Sequence, residues 1–264
     1  MTKTNFVELT ELSNEMVSKE QVERIARRYS WAASFVAGKD VLEVACGTGQ
    51  GVGLLARTAH SVTAGDYSED ILKIAREHYG ARFIFRQFDA QALPFPNDSF
   101  DVLIIFEALY YIPNPEKFFL ECSRVLRPNG VLLISNANKD LYDFNPSPHS
   151  YIYHGVLELD RDLRRHGFST KFFGDTPIGE VSLVQQILRP VKAVAAKTGL
   201  IPKSMTAKRL LKKLIFGKLV RMPAEIEPNT SAQIPPNPIE TGFKDSKHKV
   251  IFCCARLVSK SPSC

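Results

Sequence analysis

Three acidic side chains stand in or at the end of three consecutive apolar segments: Glu43 in VLEV, Asp66 closing SVTAGD and Asp89 closing ARFIFRQFD. The first segment runs straight into a bare stretch with glycine at 47, 49, 51 and 53. A carboxylate inside an apolar strand is costly unless it is paired or hydrogen-bonded. Glu43 therefore calls for a nearby ammonium group or for donors organised by the turn. The glycine spacing excludes two phosphate-binding fingerprints. A G-x-G-x-x-G frame begun at Gly47 puts Val52 in the sixth position, and one begun at Gly49 puts Leu54 there. No Gly-Lys-Ser/Thr follows, so the stretch is not a P-loop.

Asp66 lies nineteen residues after Gly47, at the distance where an acid accepts both hydroxyls of a ribose. Asp89 ends the next strand, in place for the exocyclic amine of adenine. Together the three acids describe a ligand with an amine, a ribose and an adenine but no phosphate, a description that S-adenosylmethionine fits. Taken singly, each has a plainer role. Asp66 could cap the helix that opens near Ser68, and Asp89 could be an ordinary loop acid. The joint spacing is what favours the ligand.

These residues need a scaffold, and the pattern supplies one. KEQVERIARRYSWAASFVA, with apolar residues at three- and four-residue steps, predicts a helix. SEDILKIAREHYG predicts a helix with Ser68 at its N-cap and Gly80 at its end. NPEKFFLECSRVLRPNG predicts another, with Pro115 in the first turn, and GVLELDRDLRRHGF a fourth. Between and after them lie short apolar strands, of which FDVLIIFEA is apolar almost throughout, as a strand covered on both faces should be. The alternation predicts an α/β fold: a doubly wound, Rossmann-like sheet of seven strands, mostly parallel, with the last strand antiparallel. Ligands of such sheets bind at the carboxyl ends of the strands.

Composition agrees with a globular chain: 264 residues, 44% hydrophobic and 23% charged. No run of eighteen apolar residues is present, and no basic-then-apolar signal pattern opens the sequence, so a cytoplasmic protein is expected. The five cysteines, at 46, 122, 253, 254 and 264, form neither a CxxC pair nor a metal spacing, so no metal is expected. Charge is uneven. The formal net is +6, yet residues 181–221 alone hold ten Lys or Arg and no acid, which leaves the rest at −4. Within that block TAKRLLKKLIFGKLVR predicts an amphipathic helix, with Leu210, Leu211, Leu214 and Ile215 opposite Lys208, Lys212 and Lys213. It is either a solvated helix over an apolar cleft, or a contact for a phosphorylated substrate or, through residues 203–221, for an anionic membrane surface. No nucleic-acid motif accompanies it, and no nucleic-acid partner is expected.

VLEVACGTG, AGDYS, FDAQALPFPNDSFDVLIIFEALYYI and LRPNGVLLISN together resemble the class I S-adenosylmethionine-dependent methyltransferases, specifically the type 11 group that includes the ubiquinone and menaquinone methyltransferases. The resemblance covers roughly residues 25–140. It implies that Ala45, Gly47 and Gly49 form the turn against the methionine end of the cofactor, with Glu43 behind it. It implies that Asp66 holds the ribose, that Tyr67 flanks the adenine and that Asp89 and Ala90 meet its edge. Phe106 and Glu107 would line the methyl-donor side, and Tyr29 would close over the cofactor as a lid. Many relatives carry Asp where this chain has Glu43, so a less direct contact is implied. A looser similarity points to methyltransferases of bacterial glycan and glycolipid assembly.

Methyl transfer needs an aligned nucleophile and, for a hydroxyl, a group to take its proton. Tyr111, His149 and His154 are the candidates, all in or after the segments ALYYIPN and DLYDFNPSPHSYIYHG. Of Tyr110 and Tyr111, the parity of a strand would send one to the cleft and the other to the core. The expected organisation is an N-terminal helical lid (1–37), a cofactor-binding core (38–175), a basic insertion covering the acceptor (176–247), and a last core strand and tail (248–264). The expected acceptor is a small molecule, most simply a hydroxyl of a sugar or glycolipid precursor. A quinone or phenol is the alternative within the enzyme class, and a non-catalytic S-adenosylmethionine-binding module the alternative outside it.

Overall fold

The computed structural model describes residues 12–178 and 219–258. In chain order the elements are β1 (Met16–Ser18), α1 (Lys19–Ala33), β2 (Asp40–Val44), α2 (Val52–Ala56), β3 (Ser61–Asp66), α3 (Glu69–Tyr79), β4 (Phe85–Gln87), β5 (Phe100–Phe106), α4 (Pro115–Val125), β6 (Leu126–Ala137), α5 (Val156–Arg165), β7 (Phe168–Pro177), β8 (Leu219–Arg221), β9 (Asn237–Ile239) and β10 (His248–Leu257).

The main sheet runs β4-β3-β2-β5-β6-β10-β7-β9. Its first five strands are mutually parallel. β10 lies antiparallel between β6 and β7. The sheet is thus the expected mostly parallel one with an antiparallel last strand. It gains an eighth member because β9, from the segment before β10, adds to the edge of β7. A second, two-stranded sheet joins β1 to β8. Leu219–Arg221 was expected at the end of the basic helix and is instead a strand, hydrogen-bonded across to Met16–Ser18. The rest of that helix lies outside the described residues.

Strand parity decides which side chain meets which layer. Leu42, Val44, Leu103, Ile105, Leu132 and Ile134 face one way and pack with Phe118 and Phe119 of α4 and Leu159 of α5. Val41, Val102, Ile104, Val131 and Leu133 face the other way and pack with Ile25, Tyr29 and Trp31 of α1 and Leu54 and Leu55 of α2. Glu43 shares the parity of Val41, so its side chain is delivered to the α1 side. α1 is held at its start by Ser18, whose hydroxyl accepts from the Gln21 amide at 3.2 Å in a capping box. Midway along it Arg27 donates to Asp175 of β7 at 2.8 and 3.1 Å.

The chain leaves β2 towards β3 and β4, then returns to place β5 on the opposite side of β2. This reversal is the switch point, and a crevice must open where the two strand ends diverge.

Candidate active site

Both strands at the switch point end in the left-handed region. Ala45, after β2, has φ 54°, and Glu107, after β5, has φ 51°. Non-glycine residues rarely sit there, and such strain gathers at functional sites. From Ala45 the chain turns sharply. Gly47, at φ 58°, directs its amide to Asp66 Oδ2 at 3.0 Å, and the amide of Cys46 reaches Gly65 O at 3.0 Å. Asp66 Oδ1 accepts from the amide of Ser68 at 2.9 Å. Asp66 therefore both ties the glycine turn to β3 and restrains the start of α3, and it still lines the cavity. Burial raises its carboxyl, while the bonds from Ser68, Gly47 and Tyr67 backbone amides oppose the rise.

Glu43 finds its partner inside the protein. The Tyr29 hydroxyl donates to Oε1 at 2.5 Å, while Oε2 is buried without a hydrogen-bond partner. Burial pushes the carboxyl to about 7, against the pull of the Tyr29 bond and of Arg28. Glu43 is not in the cavity wall; Tyr29 is. Glu43 thus stands behind Tyr29, away from the cavity wall. The tyrosine ring lies where a Cβ on Gly51 would stand. That is why the third glycine is bare: it receives α1. Gly49 has a similar explanation. At φ 76° its Cβ would crowd the rings of Phe85 and Tyr79, and its carbonyl accepts from the Tyr79 hydroxyl at 2.8 Å. It faces the core beneath the turn and not the cavity, a correction to its expected contact.

The other expected cofactor residues converge. Ala45, Gly47, Tyr67, Asp89, Ala90, Phe106 and Glu107 all line one cavity of about 1400 Å³. Tyr67 stands 60% exposed at its lip. Asp89 turns its carboxylate onto Gln91, accepting from the backbone amide at 2.8 Å and the side-chain amide at 3.1 Å. Phe106 meets Tyr29 edge-on at 5.4 Å between centroids. Glu107 accepts from Ser135 Oγ at 2.8 Å and from the Tyr110 hydroxyl at 3.2 Å.

Beyond Glu107 the wall becomes aromatic. Leu109–Tyr111 forms a single 3-10 turn, not a strand continuation, so both Tyr110 and Tyr111 reach the cavity. Tyr110 stacks on Tyr153 at 4.3 Å, and the amide of Tyr151 bonds to Tyr110 O at 2.8 Å. His149 and Tyr151 also line this half. His154 does not, which corrects its candidacy as a catalytic base. It is 4% exposed, packed edge-on against Phe119 at 6.4 Å, with Nε2 3.6 Å from Asp162. Its burial lowers its pKa.

Sequence reasoning passed over a second group of wall residues: Arg24, Arg28 and Lys249. Arg24 and Arg28 are one turn apart on α1, a spacing that puts both on one face. Residues after β8 also close in on the glycine turn. Ile226 N bonds to Gln50 O at 2.7 Å, and Glu225, bound by Arg82 at 3.0 Å, occupies the space a side chain on Gly53 would need.

A cavity at the switch point, a glycine turn locked to an acid at the end of the next strand and further acids along one wall define a nucleoside-binding α/β domain. The donor set suits a cation. Asp66, Asp89 and Glu107 would accept from ribose, adenine and ammonium groups and would repel a pyrophosphate. The comparisons give this class its family. Residues 42–134 match the family described as "Methyltransferase domain" of the type 11 group. A probable S-adenosylmethionine-dependent methyltransferase of Mycolicibacterium smegmatis is 39% identical over 111 residues, which is 42% of this chain and 43% of the relative. A fatty-acid O-methyltransferase of the same organism is 40% identical over 109 residues, covering 40% of each chain. A demethylmenaquinone methyltransferase of Clavibacter sepedonicus is 37% identical over 120 residues, covering 45% of this chain and 48% of the relative. The matched region thus spans less than half the length of each of these relatives. Among solved structures, a Thermotoga maritima protein described as a possible histamine N-methyltransferase superposes with TM-score 0.56 at 15% identity, over 90% of this chain and 92% of that one. The [4+2]-cyclase SpnF superposes with TM-score 0.55 at 19% identity, over 89% and 80%. The similarity is one of a domain: residues 42–134 resemble the type 11 group of S-adenosylmethionine-dependent methyltransferases.

Proposed function

We propose that the protein transfers a methyl group from S-adenosylmethionine to the hydroxyl of a small, lipid-related acceptor, such as a sugar or glycolipid precursor. The observation that carries this reading is the continuity of the cavity. One space joins the Ala45–Asp66 turn to the aromatic wall of Tyr110, Tyr111 and Tyr151. At about 1400 Å³ it exceeds the roughly 300–1,000 Å³ of a site for one drug-sized ligand. It has room for a cofactor and an acceptor side by side.

The cofactor supplies a methyl group on a positively charged sulfur, ready for in-line displacement. The turn at 45–47 and Asp66 position its amino-acid end and ribose; Tyr67, Asp89 and Ala90 border the adenine; Tyr29 covers the turn. Phe106 and Tyr110, the latter backed by Tyr153, give the space between the two halves an apolar wall. Glu107, held by Ser135 and Tyr110, presents a carboxylate to that junction, and His149 offers a ring nitrogen from the loop. Either can take an acceptor proton. The basic segment, residues 203–218, lies outside the described residues, and its capture of an anionic acceptor or membrane surface remains part of the proposal. The lid, core and insertion boundaries at 37, 175 and 247 are proposed on the same footing. No helix among the described residues is long and apolar enough to cross a membrane.

The demethylmenaquinone relative supports a second reading, an aromatic quinone or phenol as acceptor. Labelled S-adenosylmethionine tested against lipid-phosphate-linked sugars, long-chain acids and alcohols, and quinones separates them. Label in the sugars or lipids supports the first reading, and label only in quinones supports the second. Tight cofactor binding with no transfer would favour a binding module. Use of the fold for other chemistry, as the cyclase neighbour shows, makes this control necessary.

A further inference from the structure

The loop after β4 is fastened from two sides. On one side Phe88 is buried in the core, and its amide donates to Asp66 O at 3.2 Å. On the other, α4 holds the stretch that follows. The amide of Leu93 donates to Glu121 Oε2 at 2.6 Å, and Arg124 Nη2, itself paired with Glu121, donates to Leu93 O at 2.9 Å. Asp89 and Gln91 stand between these fixed points, and both line the cavity.

The bonds between the two residues are unequal. Oδ1 of Asp89 accepts from the backbone amide of Gln91 at 2.8 Å and from its side-chain Nε2 at 3.1 Å. Among the described residues, Oδ2 receives only the longer arm of the same Nε2, at 3.3 Å. A carboxylate oxygen offers two lone pairs. Oδ1 is thus filled, and Oδ2 keeps room for a donor from the cavity. The Gln91 side chain is fixed in its turn. Its Oε1 accepts from the amide of Asn114 at 3.0 Å, so a flipped group would set NH2 against N–H and oxygen against carboxylate. The Asn114 side chain caps α4, accepting from the Lys117 amide at 3.2 Å. A chain of oriented bonds therefore runs from the start of α4 through Gln91 to the plane of the Asp89 carboxylate.

An ionised carboxylate can only accept. Held in one plane with one oxygen filled, it separates a base that offers an amino group from one that does not, because a fixed polar group cannot turn to find another partner. We propose that Gln91 is a positioning residue for base recognition. It fixes Asp89 so that Oδ2 accepts from the exocyclic amine of adenine, and it thereby sets the preference of the site for an amino-bearing purine. The proposal rests on the reading of the cavity as the S-adenosylmethionine site with Asp89 at the adenine edge.

Calorimetric binding to the full chain tests it with two ligands, S-adenosylhomocysteine and its analogue carrying hydrogen in place of the 6-amino group. The proteins are wild type, Gln91→Met, Gln91→Ala, Asp89→Ala and the Asp89→Ala/Gln91→Met double variant, titrated well below their melting temperatures. The wild type should prefer the amino-bearing ligand by about tenfold or more. Gln91→Met keeps the length of the side chain and loses its bonds. It should cut the preference to about threefold or less, by weakening S-adenosylhomocysteine and leaving the analogue unchanged. Gln91→Ala should do the same. Asp89→Ala should abolish the preference, and adding Gln91→Met should change it no further, as expected of a residue that acts through another. A preference kept in both Gln91 variants but lost in Asp89→Ala would overturn the proposal. So would equal weakening of both ligands, which would leave Gln91 a part of the loop's shape only. A wild type that binds both ligands alike would overturn the placement of Asp89 at the adenine edge, and the proposal with it. One that binds neither would overturn the cofactor reading itself.

Discussion

The hydroxyl of Tyr29, from the helix before the sheet, donates to the carboxylate of Glu43, inside the first core strand, at 2.5 Å. This bond joins the segment expected to cover the cavity to the strand that ends in the glycine turn. It gives the buried acid a partner without a ligand.

The pair makes stability depend on pH. Burial raises the Glu43 carboxyl from its ordinary 4.5 to about 7. A carboxyl raised in the folded state binds its proton more tightly there than in the unfolded chain. The associated stabilisation is fully present below about pH 4.5 and is lost as pH rises through 7. Relative to Glu43→Gln, the wild type should lose stability over that window, by about 3 kcal/mol at most. Denaturant unfolding of both proteins from pH 5 to 8 checks this; parallel curves would remove Glu43 as the source.

Asp66→Ala should weaken S-adenosylmethionine binding by about 1–3 kcal/mol, because ribose hydroxyls would lose their acceptor. The variant should also melt earlier, since the amides of Gly47 and Ser68 lose theirs. Calorimetry at a temperature well below melting separates the two effects. An unchanged dissociation constant would confine Asp66 to the turn.

The glycines at 51 and 53 should respond differently. Gly51 has an ordinary φ of −95°, so alanine there meets no backbone strain, but its methyl would strike the ring of buried Tyr29. Gly51→Ala should cost about 1–3 kcal/mol and displace α1 from the turn, weakening cofactor binding too. At Gly53 the obstacle is the carboxylate end of Glu225, which can swing aside at the expense of its bonds to Arg82. Gly53→Ala should cost less, and adding Glu225→Ala should relieve much of the clash. Melting temperatures of the three variants test the order.

The two loop histidines should separate cleanly. His154→Ala leaves a hole beside Phe119 and removes the ring facing Asp162, so it should destabilise by about 1–3 kcal/mol and leave cofactor affinity intact. His149→Ala, on the exposed cavity rim, should leave melting unchanged and act, if at all, on turnover. Thermal melting and cofactor titration of both variants suffice. A loss of cofactor affinity in His154→Ala would contradict its placement.

Much of this was legible in the chain because the signals are local. Alternating apolar runs and capped helices fix a parallel α/β sheet, and a parallel sheet fixes where its ligands bind. That placed Ala45, Gly47, Asp66, Tyr67, Asp89, Phe106 and Glu107 around one crevice before any coordinates. Gly49 and Gly51 were also readable as bare positions, but what they make room for was not. Phe85 and Tyr79 lie thirty or more residues from Gly49, and Tyr29 arrives from the other side of the strand.

Tertiary structure alone decided the rest, where a side chain's partner comes from another layer. Parity sent Glu43 to the α1 face, but only packing put the Tyr29 hydroxyl there instead of a ligand. A 3-10 turn after β5 brought both tyrosines to the cavity, where strand parity would have chosen one. Docking of α5 buried His154 away from the chemistry, although its loop and composition match those of His149. The wall of Arg24 and Arg28 became visible only when α1 was laid across the strand ends, because a helix pattern shows which residues share a face but not what that face meets.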